Sequence, residues 1–252
     1  MPALATRRSI LDLDVIDLGW AEALDFAEKA LELDGGQTIV AFLNANNANI
    51  AMRDREYFAT MQRLVVLPDG MGVDLAAKAI HGKPFSANLN GTDFVPALLT
   101  YLKTPKRIGL LGARADVFAK TIEAFGRHAP WHEFIGISDG FFDRGRSDVI
   151  TGRIKAARLD ILLVAMGSPA QEKWIGEHIK PGHGKLVIGV GALFDFVSGT
   201  VPRAPERIRT MRLEWLFRLW IEPARLWRRY ILGNPVFLYH VLRYRLRKRG
   251  GS

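Results

Sequence analysis

The chain has 252 residues, 48% of them hydrophobic, with a net charge of +9, which is enough for one large core or two modest ones and excludes a disordered polymer. It contains no cysteine, which excludes disulfides, thiolate metal sites and cysteine nucleophiles and fits a reducing compartment. The charge is uneven: from Arg203 onward thirteen Lys or Arg face three acids (Glu206, Glu214, Glu222), a local balance of +10, so the first 202 residues sum to about −1.

In chain order, the N-terminal MPALATRRSILDLDVIDLGW lacks the apolar stretch of a signal peptide, and no apolar run reaches the roughly 18 residues of a spanning helix. A protein on the cytoplasmic side is expected. DLD at 12–14 has the acid-x-acid form of a metal clamp but lies away from any strand end, and no histidines cluster at ligand spacing; neither a metal nor another cofactor is expected. Short β-branched runs then alternate with helix-length amphipathic stretches: TIVAFLN (38–44), LVVLPDG (64–70), RIGLLGA (107–113), EFIGISDG (133–140), DILLVAMGS (160–168) and LVIGVGALFD (186–195). This alternation predicts an α/β fold, a Rossmann-like, mostly parallel sheet of about six strands with helices on both faces. Near residue 200, GTVPRAPERI shifts the composition, so a core over 1–200 and a C-terminal amphipathic helical appendage over 201–252 are expected.

The apolar runs end at Asn44, Asp69, Gly112, Asp139 with Gly140, Gly167 with Ser168, and Gly191. Parallel strands deliver all these ends to one edge, where ligands bind in open α/β sheets. Glycines there let a ligand approach the backbone, and the helix starts that follow offer N–H groups to phosphate. A nucleotide or phosphorylated ligand is the expectation, against plain strand-to-helix turns. The dinucleotide fingerprint is missing: GVGALF comes at the sixth strand without a third glycine, and no Walker lysine loop exists. Asp69, between a proline and a glycine in VVLPDGMGVD, is either a turn former or a reagent held at the sheet edge.

The ordered motifs VVLPDGMGVD, NLNGTDF (88–94), GLLGAR (109–114), ISDGFF (137–142), VAMGSPAQEKWI (164–175), GVGALFDFVSGTVPRAP (189–205) and LEWLFRLWIEPARLWRRY (213–230) resemble the WecG/TagA/CpsF glycosyltransferases over roughly residues 10 to 245. The resemblance implies an inverting, metal-independent transfer from a UDP-sugar to an undecaprenyl-diphosphate-linked sugar at the cytoplasmic membrane face. Such products feed common antigen, teichoic acid or exopolysaccharide. It implies Asp69 as the base that takes the acceptor proton. Asn44 matches the family's first strand end, while a hydroxyl that some relatives carry two places earlier is Phe42 here, which leaves that hydroxyl's role in doubt for this chain. Asn46 and Asn47 are acceptor-side candidates, as are Asn90, Thr92 and Asp93, with capping and turn formation as the alternative. On the nucleotide side stand Gly112, Asp139, Gly167, Gln171, Glu172, Gly191, Phe194 and Asp195, with core or cap roles as the alternative.

In the tail, Trp215, Trp220 and Trp227 interleave with leucines and arginines, a composition suited to an anionic membrane surface and too aliphatic for a nucleic-acid arm. Pro223 is expected to split the stretch into two helices. The resemblance implies that Arg218, Arg225 and Arg228 close over the site and hold the lipid diphosphate, a task suited to guanidinium forks. A core-packed or oligomer-forming helix is the alternative, and a homo-oligomer stays open. The rival functions are a basic membrane- or nucleic-acid-binding module without catalysis and a nucleotide-sugar enzyme of another reaction type. Among the sugars of the family, FLNANNANI and the short tail RLRKRGGS favour an exopolysaccharide glucosyltransferase.

Overall fold

A computed structural model of the chain describes residues 6–33, 35–205, 207, 208, 211 and 213–250. It opens with a hairpin that the sequence reading did not anticipate, β1 (Thr6–Ile10) and β2 (Leu13–Asp17), antiparallel through a two-residue turn. Leu11 and Asp12 both take positive φ, at 52° and 65°, the twist that a tight hairpin connection requires. Alternation does the rest: Ile10, Leu13 and Val15 turn inward, while Asp12 and Asp14 stay exposed. The acid-x-acid stretch is thus a hairpin turn, and the Asp12 carboxylate accepts a hydrogen bond from the Tyr244 hydroxyl at 2.9 Å. Buried Arg8 crosses the hairpin to pair with Asp17 at 3.0 Å and ties it to the body by donating to the Pro84 carbonyl at 2.7 Å.

After α1 (Trp20–Glu32) come β3 (Thr38–Leu43), α2 (Ala45–Ala51), α3 (Arg55–Met61), β4 (Val65–Pro68), α4 (Met71–His81) and α5 (Gly91–Tyr101). The second half runs β5 (Arg107–Gly112), α6 (Ala115–His128), β6 (Glu133–Ser138), α7 (Ser147–Ala157), β7 (Ile161–Ala165), α8 (Ala170–His178), β8 (Leu186–Gly189) and α9 (Leu193–Val197). All six expected strands form, in one sheet of order β4-β3-β8-β7-β5-β6, and every pair is parallel. Because neighbouring side chains point to opposite faces, Val40 and Phe42 pack with α1 and α5, whereas Ala41 and Leu43 pack with α2, α4 and the hairpin. Strands buried on both faces must read as near-continuous apolar runs, and β7 is buried at all five positions.

β3 and β8 are adjacent, yet α2 leaves β3 toward one face and α9 leaves β8 toward the other. Their carboxyl ends therefore open a crevice at a topological switch point, the usual ligand position in this architecture.

The C-terminal stretch is helical, with α10 (Glu214–Ile221) and α11 (Pro223–Trp227) meeting at Pro223, which occupies the first position of α11. A π-type turn (Arg228–Leu232) leads into α12 (Gly233–Gly250). α12 has apolar groups on two sides: Phe237 and Val241 are buried with α2 and α4, while Leu238, Leu242 and Leu246 are exposed. The core thus continues past residue 200.

Candidate active site

Asp69 sits one residue past β4, where its N–H donates to the Leu43 carbonyl at 2.9 Å and so extends the β3–β4 ladder by one rung. The next residue must turn the chain into α4. Gly70 does so at φ 87°, ψ 164°, a region essentially confined to glycine, and its N–H donates to the Asn88 side chain at 2.8 Å. Asn44 caps α2 by accepting from the Asn47 N–H at 3.0 Å, and its amide donates to Asp69 Oδ2 at 3.0 Å. One side chain thereby fixes both a helix start and the carboxylate.

Two clefts meet at this point. The smaller, about 550 Å³, lies between the α4 and α5 starts and the tail helices. The larger, about 1060 Å³, runs along the ends of β3, β8, β7 and β5. Asn44, Asn46, Asp69, Thr92, Arg218 and Arg229 line both. Burial pushes the Asp69 carboxyl above the usual range, opposed by the Asn44 hydrogen bond and the positive fields of Arg229 and Arg218. A carboxylate so placed is a proton acceptor whose basicity is raised by its surroundings.

Of the expected acceptor-side residues, Asn90 and Asp93 form a reciprocal cap on α5. The Asn90 oxygen accepts from the Asp93 N–H at 3.0 Å and its amide donates to Asp93 Oδ2 at 2.8 Å; Asp93 also pairs with Arg203. Both still line the smaller cleft. Asn47 is buried, its amide committed to the Phe42 carbonyl at 2.9 Å, and it borders the larger cleft only. Phe42 itself wedges against Gly91 and Phe94.

Of the expected nucleotide-side residues, Gly167, Gln171, Glu172, Gly191, Phe194 and Asp195 line the larger cleft. Gln171 acts as a brace: its Oε1 accepts from the Gly191 N–H at 3.0 Å, and its Nε2 donates to Glu172 Oε1 at 2.8 Å. Ser168 also donates to Glu172, at 2.7 Å. Burial raises the carboxyls of both Glu172 and Asp195. Gly112 and Asp139 do not border the cleft; Ala113 and Gly140 do. Gly112, at φ 129°, packs so close to the Ala165 carbonyl that a Cβ would lie 2.3 Å from its oxygen, and Asp139 accepts from the Phe141 N–H at 2.8 Å in a local turn. These two are fold-forming residues beside the site.

In the tail, Arg218 and Arg225 line the larger cleft. Arg218 stacks on Phe196 at 5.1 Å and Arg225 pairs with Glu222 at 2.6 Å. Arg228 is exposed, lies over the Trp227 ring at 5.4 Å and borders neither cleft; its neighbour Arg229 borders both. Sequence reasoning passed over Arg229, and also Glu214, Arg114, Arg144 and Phe141, although the last three sit in or beside quoted strand-end motifs. Among the described residues no group of three His, Asp or Glu side chains converges as a metal site, and no helix is long and apolar enough to cross a membrane.

Comparison with known proteins gives the family. The chain is 36% identical over 209 residues to an N-acetylglucosaminyldiphosphoundecaprenol N-acetyl-beta-D-mannosaminyltransferase of Bacillus spizizenii strain W23, covering 81% of this chain and 79% of the relative. It is 30% identical over 238 residues to a protein of the same name from Bacillus subtilis strain 168, covering 93% and 91%. A sequence model described as "Glycosyl transferase WecG/TagA/CpsF family" matches residues 8–251, and with nearly the whole chain inside that match, the protein belongs to the WecG/TagA/CpsF family of glycosyltransferases.

Proposed function

We propose that the chain moves a sugar from a UDP-sugar, with inversion and without a metal, onto a hydroxyl of a sugar joined through diphosphate to a polyprenyl lipid. The observation that carries this reading is the position of Asp69 where the two clefts meet. A donor in the larger cleft and an acceptor in the smaller one approach the carboxylate from different sides, which suits a single in-line displacement and hence inversion.

Asn44 holds Asp69 Oδ2, leaving the other oxygen for the acceptor hydroxyl. As the acceptor oxygen bonds to the anomeric carbon, its proton passes to Asp69 and the bond to UDP breaks. The diphosphate leaves with added negative charge, and Arg114, Arg144 and Arg225 line the cleft where it would lie. The start of α6, a 14-residue helix, opens there too, adding the positive end of its dipole. Phe141, 78% exposed on the rim, offers a flat face to a base.

The named relatives favour N-acetylglucosamine as the lipid-linked acceptor sugar and N-acetylmannosamine as the transferred one; glucose is the second donor to test. The mouth of the smaller cleft favours a lipid-linked substrate: Leu75, Ile231 and Leu238 line it and are exposed, with Leu232, Leu242 and Leu246 nearby on the same tail helices. Peripheral attachment to the cytoplasmic face of a membrane, through these groups and the basic end of α12, follows from the same reading. The deciding experiment is a UDP-release assay with a panel of UDP-sugars and a polyprenyl-diphosphate N-acetylglucosamine acceptor. Absence of acceptor-dependent UDP release across the panel would refute the reading.

A further inference from the structure

Several polar groups of the smaller cleft are committed to the protein, while the Trp215 Nε1, Arg218 Nε and Arg229 Nε donors that also line it are buried without a partner among the described residues. Asn44 uses its oxygen on the Asn47 N–H and its amide on Asp69. The Asn88 oxygen takes the Gly70 N–H, and Asn90 and Asp93 bind each other, with Arg203 on Asp93. Across from them, on the first turn of α10, Glu214 also lines the cleft. Among the described residues no hydrogen bond is made to its carboxylate. Burial raises this carboxyl; Arg203 and Arg218 draw it back, and the charges of Asp93 and Asp69 oppose them, so Glu214 and Asp69 are close enough to feel one another.

A carboxylate half-withdrawn from water, with no hydrogen-bond donor among the described residues, gains when a ligand supplies one. A diphosphate is drawn to the Arg218 and Arg229 guanidiniums of the same cleft and repelled by the Glu214 carboxylate, so the ligand part beside Glu214 is a different one. It has to be neutral and rich in O–H or N–H groups, which describes the sugar. We propose that Glu214 recognises the acceptor sugar, its carboxylate accepting a hydrogen bond from a ring hydroxyl or acetamido N–H and so turning the reacting hydroxyl toward Asp69. The inference rests on the smaller cleft being the acceptor site. An acid at the start of a helix also favours the helix dipole, but that role predicts an effect on stability and none on acceptor affinity.

The test is steady-state kinetics of Glu214→Gln and Glu214→Ala with polyprenyl-diphosphate N-acetylglucosamine and with the same lipid carrying glucose. For the N-acetylglucosamine acceptor, KM is expected to rise on the order of 10–100-fold in Glu214→Ala. In Glu214→Gln, which keeps a neutral acceptor oxygen, it should rise less. KM for the UDP-sugar and the affinity for UDP stay unchanged, which also certifies folding. If the contact is the acetamido N–H, the preference for N-acetylglucosamine over glucose shrinks in both variants; if it is a ring hydroxyl, both acceptors weaken in parallel. Unchanged acceptor KM in variants that still bind UDP, with or without a lower melting temperature, overturns the proposal. No transfer by the unmodified chain would instead overturn the acceptor-site reading beneath it.

Discussion

Replacing Asp69 by asparagine removes the proposed base while leaving almost every contact around it. Asn44 Nδ2, now 3.0 Å from Asp69 Oδ2, can donate equally well to an asparagine oxygen, and the backbone bond to Leu43 does not involve the side chain. A positioned general base contributes roughly 10²–10⁴ in rate, or about 2.7–5.4 kcal/mol of barrier at 1.36 kcal/mol per decade. Turnover of Asp69→Asn should fall within that range, while UDP affinity, assigned by the proposal to the larger cleft, should stay within about twofold. Stability should move the other way. The folded Asp69 carboxyl lies above its unfolded value because burial disfavours the charge. The native state therefore holds more protons between the two values, and stability falls as pH rises through that window. Above the unfolded carboxylate value the buried Asp69 therefore lowers stability, and asparagine removes that cost. The variant should melt higher than the parent at pH 7, and the difference should shrink as pH falls toward the unfolded carboxylate value. Each kcal/mol recovered would appear as about 2–4 °C in a domain of this size. Turnover within threefold of the parent would refute the base. A variant that melts lower at pH 7 would refute the account of its environment.

Substituting Arg229 with glutamine removes a positive field that holds the Asp69 carboxyl down, so the acid limb of the kcat/KM profile should shift to higher pH with a loss of turnover. The same change at Arg228, which borders neither cleft, should leave that limb in place. Arg225→Gln should raise KM for the UDP-sugar about tenfold or more, as expected for the loss of a charge-assisted contact, and isothermal titration with UDP reads the same loss directly. Excess EDTA should leave turnover intact; abolition reversed by Mg²⁺ or Mn²⁺ would assign the diphosphate to a metal. Phe237→Ala should cost about 3–5 kcal/mol in chemical denaturation, because Phe237 is 1% exposed in the core between α2 and α4.

Much of the sheet was legible because each strand carries its own signal: a short β-branched run buried on both faces, ended by glycine or a polar residue. The hairpin was missed because Leu11 and Asp12 form its turn without the Asn-Gly or Gly-X pair that announces one, and because β1 and β2 each span only five residues. Within the site, Asn44 and Asp69 stand at strand ends and could be found there. Gly112 and Asp139 stand at strand ends too, but a glycine needed for backbone packing and an acid closing a local turn look the same in one sequence as ligand groups. Choosing between Arg228 and Arg229 was harder still. The two lie where a π-type turn replaces the α-helical one, and a turn wider than 3.6 residues changes which of two adjacent side chains faces inward. No periodicity argument contains that information.

The tail is where sequence and structure differ most in meaning. Composition separates it cleanly at residue 200, whereas packing does not. Phe237 and Val241 complete the core between α2 and α4, the Asn49 side chain donates to the Gly233 carbonyl at 2.7 Å, and Tyr244 reaches the hairpin turn at Asp12. α2 begins beside Asn44 and α4 beside Gly70, the residues that flank Asp69. The helix that offers Leu238, Leu242 and Leu246 to an apolar surface is therefore packed against the two helices that fix the candidate base. A displacement of α12 at a membrane would be transmitted through Phe237 to both, since a close-packed core passes strain rather than absorbing it. The same packing argues that vesicles should change turnover on a short-chain, water-soluble acceptor, a substrate that does not need the membrane to arrive. Anionic vesicles that leave kcat for such an acceptor unaltered would refute this coupling between the tail and the candidate base.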